Sequence, residues 1–185
     1  MIVLKDVSFQ YEGCEEGVHG IDLTVCDGEC VVLTGPSGGG KTTLTRLLNG
    51  LAPSYYQGTK KGDLWINYTE IASLPAWKIG QEIGSVFQDP KSQFFSSELA
   101  GEVAFACENY GMAKQEIRKR TDEAIASMGL ETLRARPLDV LSSGEKQRVA
   151  VASVYALRPH TYVCDEPRPT WTARELQGLR AYFGN

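Results

Sequence analysis

The residue types that build metal centres and disulfide frameworks are scarce or badly placed in this chain. Only two histidines, His19 and His160, occur in 185 residues. The five cysteines, at 14, 26, 30, 107 and 164, are scattered and odd in number, so they imply no closed disulfide framework. Cys26 and Cys30 flank a turn at Asp27-Gly28, but no second Cys/His pair completes a metal site. Reduced, partly buried thiols of a cytosolic protein are the simpler reading. A net charge of −4 supplies no basic field to draw the chain to nucleic acid. Apolar residues are interspersed with charges, and no run is long enough to span a bilayer. The opening Met1-Ile2-Val3-Leu4 passes straight into Lys5-Asp6, without the pattern of a signal segment. There is no internal repeat and no low-complexity stretch, and the length suits one domain with a real core.

What is present is organised around Gly35-Pro36-Ser37-Gly38-Gly39-Gly40-Lys41-Thr42-Thr43. The apolar run Cys30-Val31-Val32-Leu33 before it predicts a strand, and Leu44-Thr45-Arg46-Leu47-Leu48 after it predicts a helix. Strand, glycine-rich turn and helix form the context in which G-x-x-x-x-G-K-[ST] is a phosphate-binding loop. Glycines at 35, 38, 39 and 40 let backbone N–H groups converge on an anion with no Cβ in the way. The helix adds its unpaired first-turn amides and the positive end of its dipole. Lys41 can reach the β- and γ-phosphates of a nucleotide, and Thr42 can place its hydroxyl on Mg²⁺.

The rest of the chain reads as an α/β core interrupted by helices. Ile2, Leu4, Val7 and Phe9 predict an opening strand, and the alternation Ile21-Asp22-Leu23-Thr24-Val25 predicts a second. The turn at Asp27-Gly28 suggests that this second strand forms an antiparallel hairpin with the strand before the phosphate loop. Strands are predicted at Asp63–Asn67, Ile83–Phe87 and Thr161–Cys164. Between the last two lies helix: 98–110 with Leu99, Val103 and Cys107 at helical spacing, a face of Ala113, Ile117, Ala124, Ile125 and Met128 ending at Gly129, and 144–157.

Three further stretches can carry chemistry. Asp165 and Glu166 follow an apolar strand, at the end where α/β sheets place ligands. A carboxylate there can hold Mg²⁺ through water, and a second can orient or deprotonate an attacking water. The same pair is also an ordinary helix-starting turn. Gln88, closing the strand Val86-Phe87, is either a neutral ligand for Mg²⁺ or water, or a plain loop glutamine. Leu141-Ser142-Ser143-Gly144-Glu145-Lys146-Gln147-Arg148 opens a helix, either as a second anion site or as a capping box of Ser142 with Glu145.

Taken together, these motifs resemble the ATP-binding subunit of ABC transporters over essentially the whole chain. The Walker A loop would be 35–42, the Q-loop Gln88, the signature LSSGEKQR 141–148, and the Walker B pair Asp165 with Glu166. The signature is the specific element, since other P-loop NTPases lack it. The resemblance implies an α/β fold: a P-loop NTPase, RecA-like core with an antiparallel β part and an inserted helical subdomain at about 89–143. Residues 1–185 would be one nucleotide-binding domain. It implies ATP and Mg²⁺ as ligands. Tyr11 would stack on adenine, and Gly35, Ser37, Gly38, Gly39, Gly40, Lys41, Thr42 and Thr43 would bind phosphate. Thr42, Gln88 and Asp165 would lie on the metal, and Glu166 with Gln88 would act on the water. Tyr11 can equally be a core residue at a strand end.

The resemblance also implies assembly. Two such subunits, identical or not, would face head to tail, so that Ser142 and Gly144 complete the partner's site and ATP closes the dimer. Val86–Phe95 and Val103–Gly111 look most like energy-coupling-factor importers of vitamins or cobalt, whose paired ATPases lie on the cytoplasmic face of the membrane beside a transmembrane subunit. Phe94 and Phe95 fall where that partner would dock, or else pack within the helical subdomain. A nucleotide-binding module without hydrolysis, and a soluble ABC ATPase without a membrane partner, are the alternatives.

Two departures stand out. Where the family has a D-loop like Thr-Ala-Asn-Leu-Asp, this chain has Arg168-Pro169-Thr170-Trp171-Thr172. A one-base displacement of codons for Ala-Asn-Leu-Asp yields Pro-Thr-Trp-Thr, leaving Arg168 unexplained; the coding DNA decides it. The chain also ends at Asn185, ahead of the family's switch histidine. On that ground the domain is expected to be incomplete at its C-terminus, and the chain weak in hydrolysis.

Overall fold

A computed structural model describes residues 1–165. Glu166 and the 168–172 loop lie outside the described residues. Within 1–165 the chain forms two compact units, 1–83 and 84–165.

In the first unit, β1 (Ile2–Tyr11) is the centre of an antiparallel sheet with β2 (Gly17–Val25), β3 (Gly58–Ile66) and the short β4 (Thr69–Glu70), in the order β2-β1-β3-β4. The buried apolar residues of β1 fall at 2, 4, 7 and 9, which breaks strict alternation between Leu4 and Val7. A register shift there, with Asp6 at φ 48°, absorbs the extra residue. All four side chains are therefore buried on one face, together with Val18, Leu64 and Ile66. Helix α1 (Lys41–Leu48) buries Leu44, Leu47 and Leu48, an i, i+3, i+4 set. A short turn of helix, α2 (Leu51–Ser54), and α3 (Ala76–Glu82) complete the unit, with Ile79 packed over Gly50.

The sequence expectation fails at the strand before the phosphate loop. Residues 29–34 form no strand, and Val32 is 77% exposed. The hairpin partner of β2 is β1, with Phe9 opposite Val18 and Leu4 opposite Leu23. Valine and leucine at 31–33 fit a strand, but propensity contributes at most about 1 kcal/mol, and a strand exists only where neighbours accept its hydrogen bonds. Residues 30–34 have no such ladder among the described residues.

In the second unit, β5 (Ile83–Val86) lies beside β6 (Thr161–Cys164). The amide of Asp165 donates to the carbonyl of Val86 at 2.9 Å, so the carboxyl ends of both strands lie together. Three helices, α4 (Leu99–Asn109), α5 (Lys114–Ser127) and α6 (Ser143–Leu157), pack around Leu99, Val103, Ile125 and Val149, each at most 1% exposed. Arg120 ties α5 to the end of α6: Nη1 donates to the Leu157 carbonyl at 3.0 Å and Nε to Glu116 at 2.6 Å. That bond meets one of the orphan carbonyls that every helix end leaves. The block expected at 89–143 contains α4 and α5, whose limits fall within a residue or two of those read from periodicity.

Candidate functional site

The phosphate loop is built by its glycines. The Gly39 amide donates to the Pro36 carbonyl at 3.1 Å, closing a tight turn, and Gly38 and Gly40 take φ of 78° and 81°. Gly40 caps α1 in the left-handed region, where a side chain costs about 1–2 kcal/mol. A Cβ at Gly40 would also stand 2.4 Å from Cγ1 of Val18, whereas one at Gly38 would meet open space. Gly40 is thus needed for close packing on β2, and Gly38 for conformation alone. The Lys41 ammonium lies back over the loop, donating to the carbonyls of Gly35 at 3.1 Å and Pro36 at 2.9 Å. The Lys41 ammonium is thus held over the exposed glycine turn. Ser37 lies on the exposed turn, and Thr42 is half-buried in the first turn of α1.

Tyr11, the last residue of β1, reaches this helix. Its hydroxyl donates to Oγ1 of Thr43 at 3.2 Å and accepts from Nη1 of Arg46 at 2.9 Å. The ring meets Phe9 edge-to-face at 4.9 Å, and the Arg46 guanidinium lies 3.9 Å over the ring of Tyr56. Beside Tyr11 is an open depression of about 790 Å³, bordered by residues 12–15 and 57–59. Thr43 is buried, its hydroxyl against this phenol.

The remaining site residues lie in the second unit. Gln88 is exposed two residues beyond Val86, and Asp165 is hydrogen-bonded to Val86, so one sheet end carries both. The segment between Gln88 and α4 is braced from inside. Gln93 accepts from the Phe87 amide at 3.2 Å and donates to the Ala150 carbonyl at 3.1 Å and Oγ of Ser153 at 3.4 Å. Glu102, only 2% exposed, accepts from the amides of Phe95 and Ser96, both at 2.8 Å. Phe95 is 75% exposed and stacks one face on Phe105 at 4.8 Å, while Phe94 is half-buried.

At the head of α6 the capping box is fully formed. Ser142 Oγ accepts from the Glu145 amide at 3.3 Å and donates to Glu145 Oε2 at 2.6 Å, and the Ser142 amide donates to the same oxygen at 2.7 Å. The Ser142 hydroxyl, followed by its amide, holds the Glu145 carboxyl below its ordinary range. Gly144 lies in the first turn of this helix, and a Cβ there would meet nothing among the described residues. Its own chain gives no steric reason for glycine, although glycine inside a helix is roughly 1 kcal/mol worse than alanine.

Sequence reasoning missed Arg46, Gln93 and Glu102. Arg46 was legible in part, because it lies three residues after Thr43 and therefore on the same helical face.

Solved structures share this architecture. One is cbiO1 from Clostridium perfringens, described as part of the ABC transporter complex cbiONQ. It aligns with a TM-score of 0.82 at 29% identity, over 99% of this chain and 72% of that one. Another is the ATP-binding cassette MJ0796, solved as a dimer in a post-hydrolysis state with ADP and Pi. Its TM-score is 0.81 at 25% identity, over 98% of this chain and 81% of that one. The fold class is that of a P-loop NTPase of the α/β type. The chain belongs to the ABC transporter family, whose model matches residues 18–169. A Treponema denticola protein named as an ABC transporter ATP-binding protein is 40% identical over 180 residues, 97% of this chain but 37% of that protein. The chain spans about a third of the length of the curated relatives it matches. It is an ABC-type ATPase domain, and no helix among the described residues is long and apolar enough to cross a membrane.

Proposed function

We propose that this domain binds MgATP at the 35–43 loop and hydrolyses it to power a membrane importer of the energy-coupling-factor type. The observation that carries the nucleotide reading is the loop itself: glycines in left-handed conformations, an exposed turn at the head of α1, and Lys41 folded over two loop carbonyls. The oxygen donors of Thr42, Gln88 and Asp165 suit a hard cation, and triphosphate would supply most of its remaining ligands. Mg²⁺ would neutralise charge on the transferring phosphoryl group, with Gln88 and Glu166 placing the water.

Gly144 supports a dimer in which each signature completes the other chain's site. A glycine unexplained by its own surroundings, beside a capped helix end, leaves room for another molecule's phosphate. The partner would be a second ABC ATPase subunit, and a transmembrane subunit would dock near exposed Phe95. Such a domain would lie in the cytoplasm, against the membrane's inner face. The Arg168–Thr172 sequence favours a second reading, a nucleotide-binding module defective in hydrolysis.

Isothermal titration tests the core of the proposal. MgATP should bind wild type, and Lys41→Ala should weaken it at least about tenfold through loss of a charge-assisted contact. Equal binding by the two would remove the phosphate-loop assignment. ATP-dependent dimerisation of Glu166→Gln, followed by light scattering, tests the assembly, and a monomer at saturating ATP would count against it.

A further inference from the structure

We infer that Arg46 is a positioning residue for the nucleotide base, acting through Tyr11. The inference rests on the nucleotide-binding reading above and adds to it a residue with no phosphate to touch. An aromatic side chain that stacks on a base must hold its plane, and a tyrosine at a strand end has two free torsions to lose on binding. Here both are fixed beforehand from the far end of the ring. Thr43 and Arg46, three residues apart on one face of α1, take the two sides of the Tyr11 hydroxyl at 3.2 and 2.9 Å.

Arg46 is itself held. Its guanidinium stacks on Tyr56 at 3.9 Å, a contact of the cation–π kind, which leaves Nη1 directed at Tyr11. Tyr56 belongs to the turn leading into β3, and its amide donates to Leu51 at 2.9 Å. The relay therefore runs from the edge of the sheet through one cation to one phenol. Thr43 directly follows Thr42, so the helix that presents the phosphate loop also sets the ring. Base and triphosphate sites are held in register by α1. The Arg46 cation serves this purpose as a double-faced clamp.

The clamp has a signature that general support of α1 lacks: it concerns ligands with a base and spares those without one. The test is titration of the whole chain with ATP and with inorganic tripolyphosphate. Arg46→Met should weaken ATP binding about 5- to 10-fold, the net scale of one hydrogen bond, and leave tripolyphosphate binding unchanged. Tyr11→Phe, which keeps the ring and removes only the hydroxyl, should reproduce the loss. Adding Arg46→Met to Tyr11→Phe should cost nothing more. Arg46→Lys should recover part of the affinity.

Equal weakening of ATP and tripolyphosphate by Arg46→Met would make the residue a support of the helix and overturn the inference. So would wild-type ATP affinity in Tyr11→Phe, or additive losses in the double variant. If Arg46→Met does not fold, the ATP and tripolyphosphate affinities of Tyr11→Phe decide the matter alone. Failure of wild type to bind ATP overturns the nucleotide reading and this inference together. Normal wild-type binding with unaffected variants overturns the inference alone.

Discussion

Replacing Gly40 by alanine should damage the phosphate loop in two separable ways. At φ 81° an alanine carries about 1–2 kcal/mol of backbone strain. Its Cβ would also stand 2.4 Å from Cγ1 of Val18, far inside the 3.5–4.0 Å at which carbon atoms rest. Val18 cannot yield easily, being β-branched, buried and held in the β1–β2 ladder opposite Phe9. Overpacking of this kind costs a further 1–3 kcal/mol or so, giving a total of about 2–5 kcal/mol. Gly38→Ala has nearly the same φ, 78°, and open space, so only the backbone part applies. Urea unfolding of both variants, each alone and combined with Val18→Ala, separates the two contributions. Val18→Ala removes Cγ1, so with Gly40→Ala the losses should fall short of additive by about 1–3 kcal/mol. With Gly38→Ala they should add to within about 0.5 kcal/mol. Equal losses at the two glycines, with no coupling to Val18, would refute the steric half of the reasoning.

Two further predictions concern the second unit. Gln93→Leu leaves the Phe87 amide without its acceptor and removes a donor from Ala150 and Ser153, which still bond each other, and should lower stability by about 1–3 kcal/mol in urea unfolding; a loss below about 0.5 kcal/mol would show that solvent replaces these bonds. The Glu145 carboxyl titrates below its ordinary 4.5, because the Ser142 hydroxyl and amide favour its charged form. Its contribution is therefore complete above 4.5 and is lost as the pH falls through the depressed folded value. The difference in melting temperature between wild type and Glu145→Gln should shrink on acidification from about pH 6 to about pH 3, and a constant difference would contradict this.

The parts of the fold legible in the sequence were those decided locally. Helix α6 announces itself by Ser142 and Glu145 at its head and by Pro159 beyond its end, and β6 is an apolar run before Asp165. The phosphate loop is equally local, since turn and helix lie within one short segment. Residues 30–33 show the limit. Their composition states a preference for strand, and pairing is a property of other segments that composition does not report. The bracing residues were hidden for the same reason. Gln93 meets Ala150 across 57 positions, and nothing in the run Pro90–Phe94 distinguishes that glutamine from a solvated one. Glu102 is a carboxylate in a helix, and nothing in the sequence marks it as buried beneath the two amides that it accepts from.

The capping box has a consequence beyond holding the end of α6. The Ser142 hydroxyl has one proton, and that proton already points at Glu145. Any phosphate that recruits the hydroxyl must compete with a carboxylate for it, and the loser is the first turn of the helix. Were a phosphate to occupy this helix end, one anion would replace another. The Glu145 carboxylate, held by Ser142, keeps the positive end of the α6 dipole from standing bare.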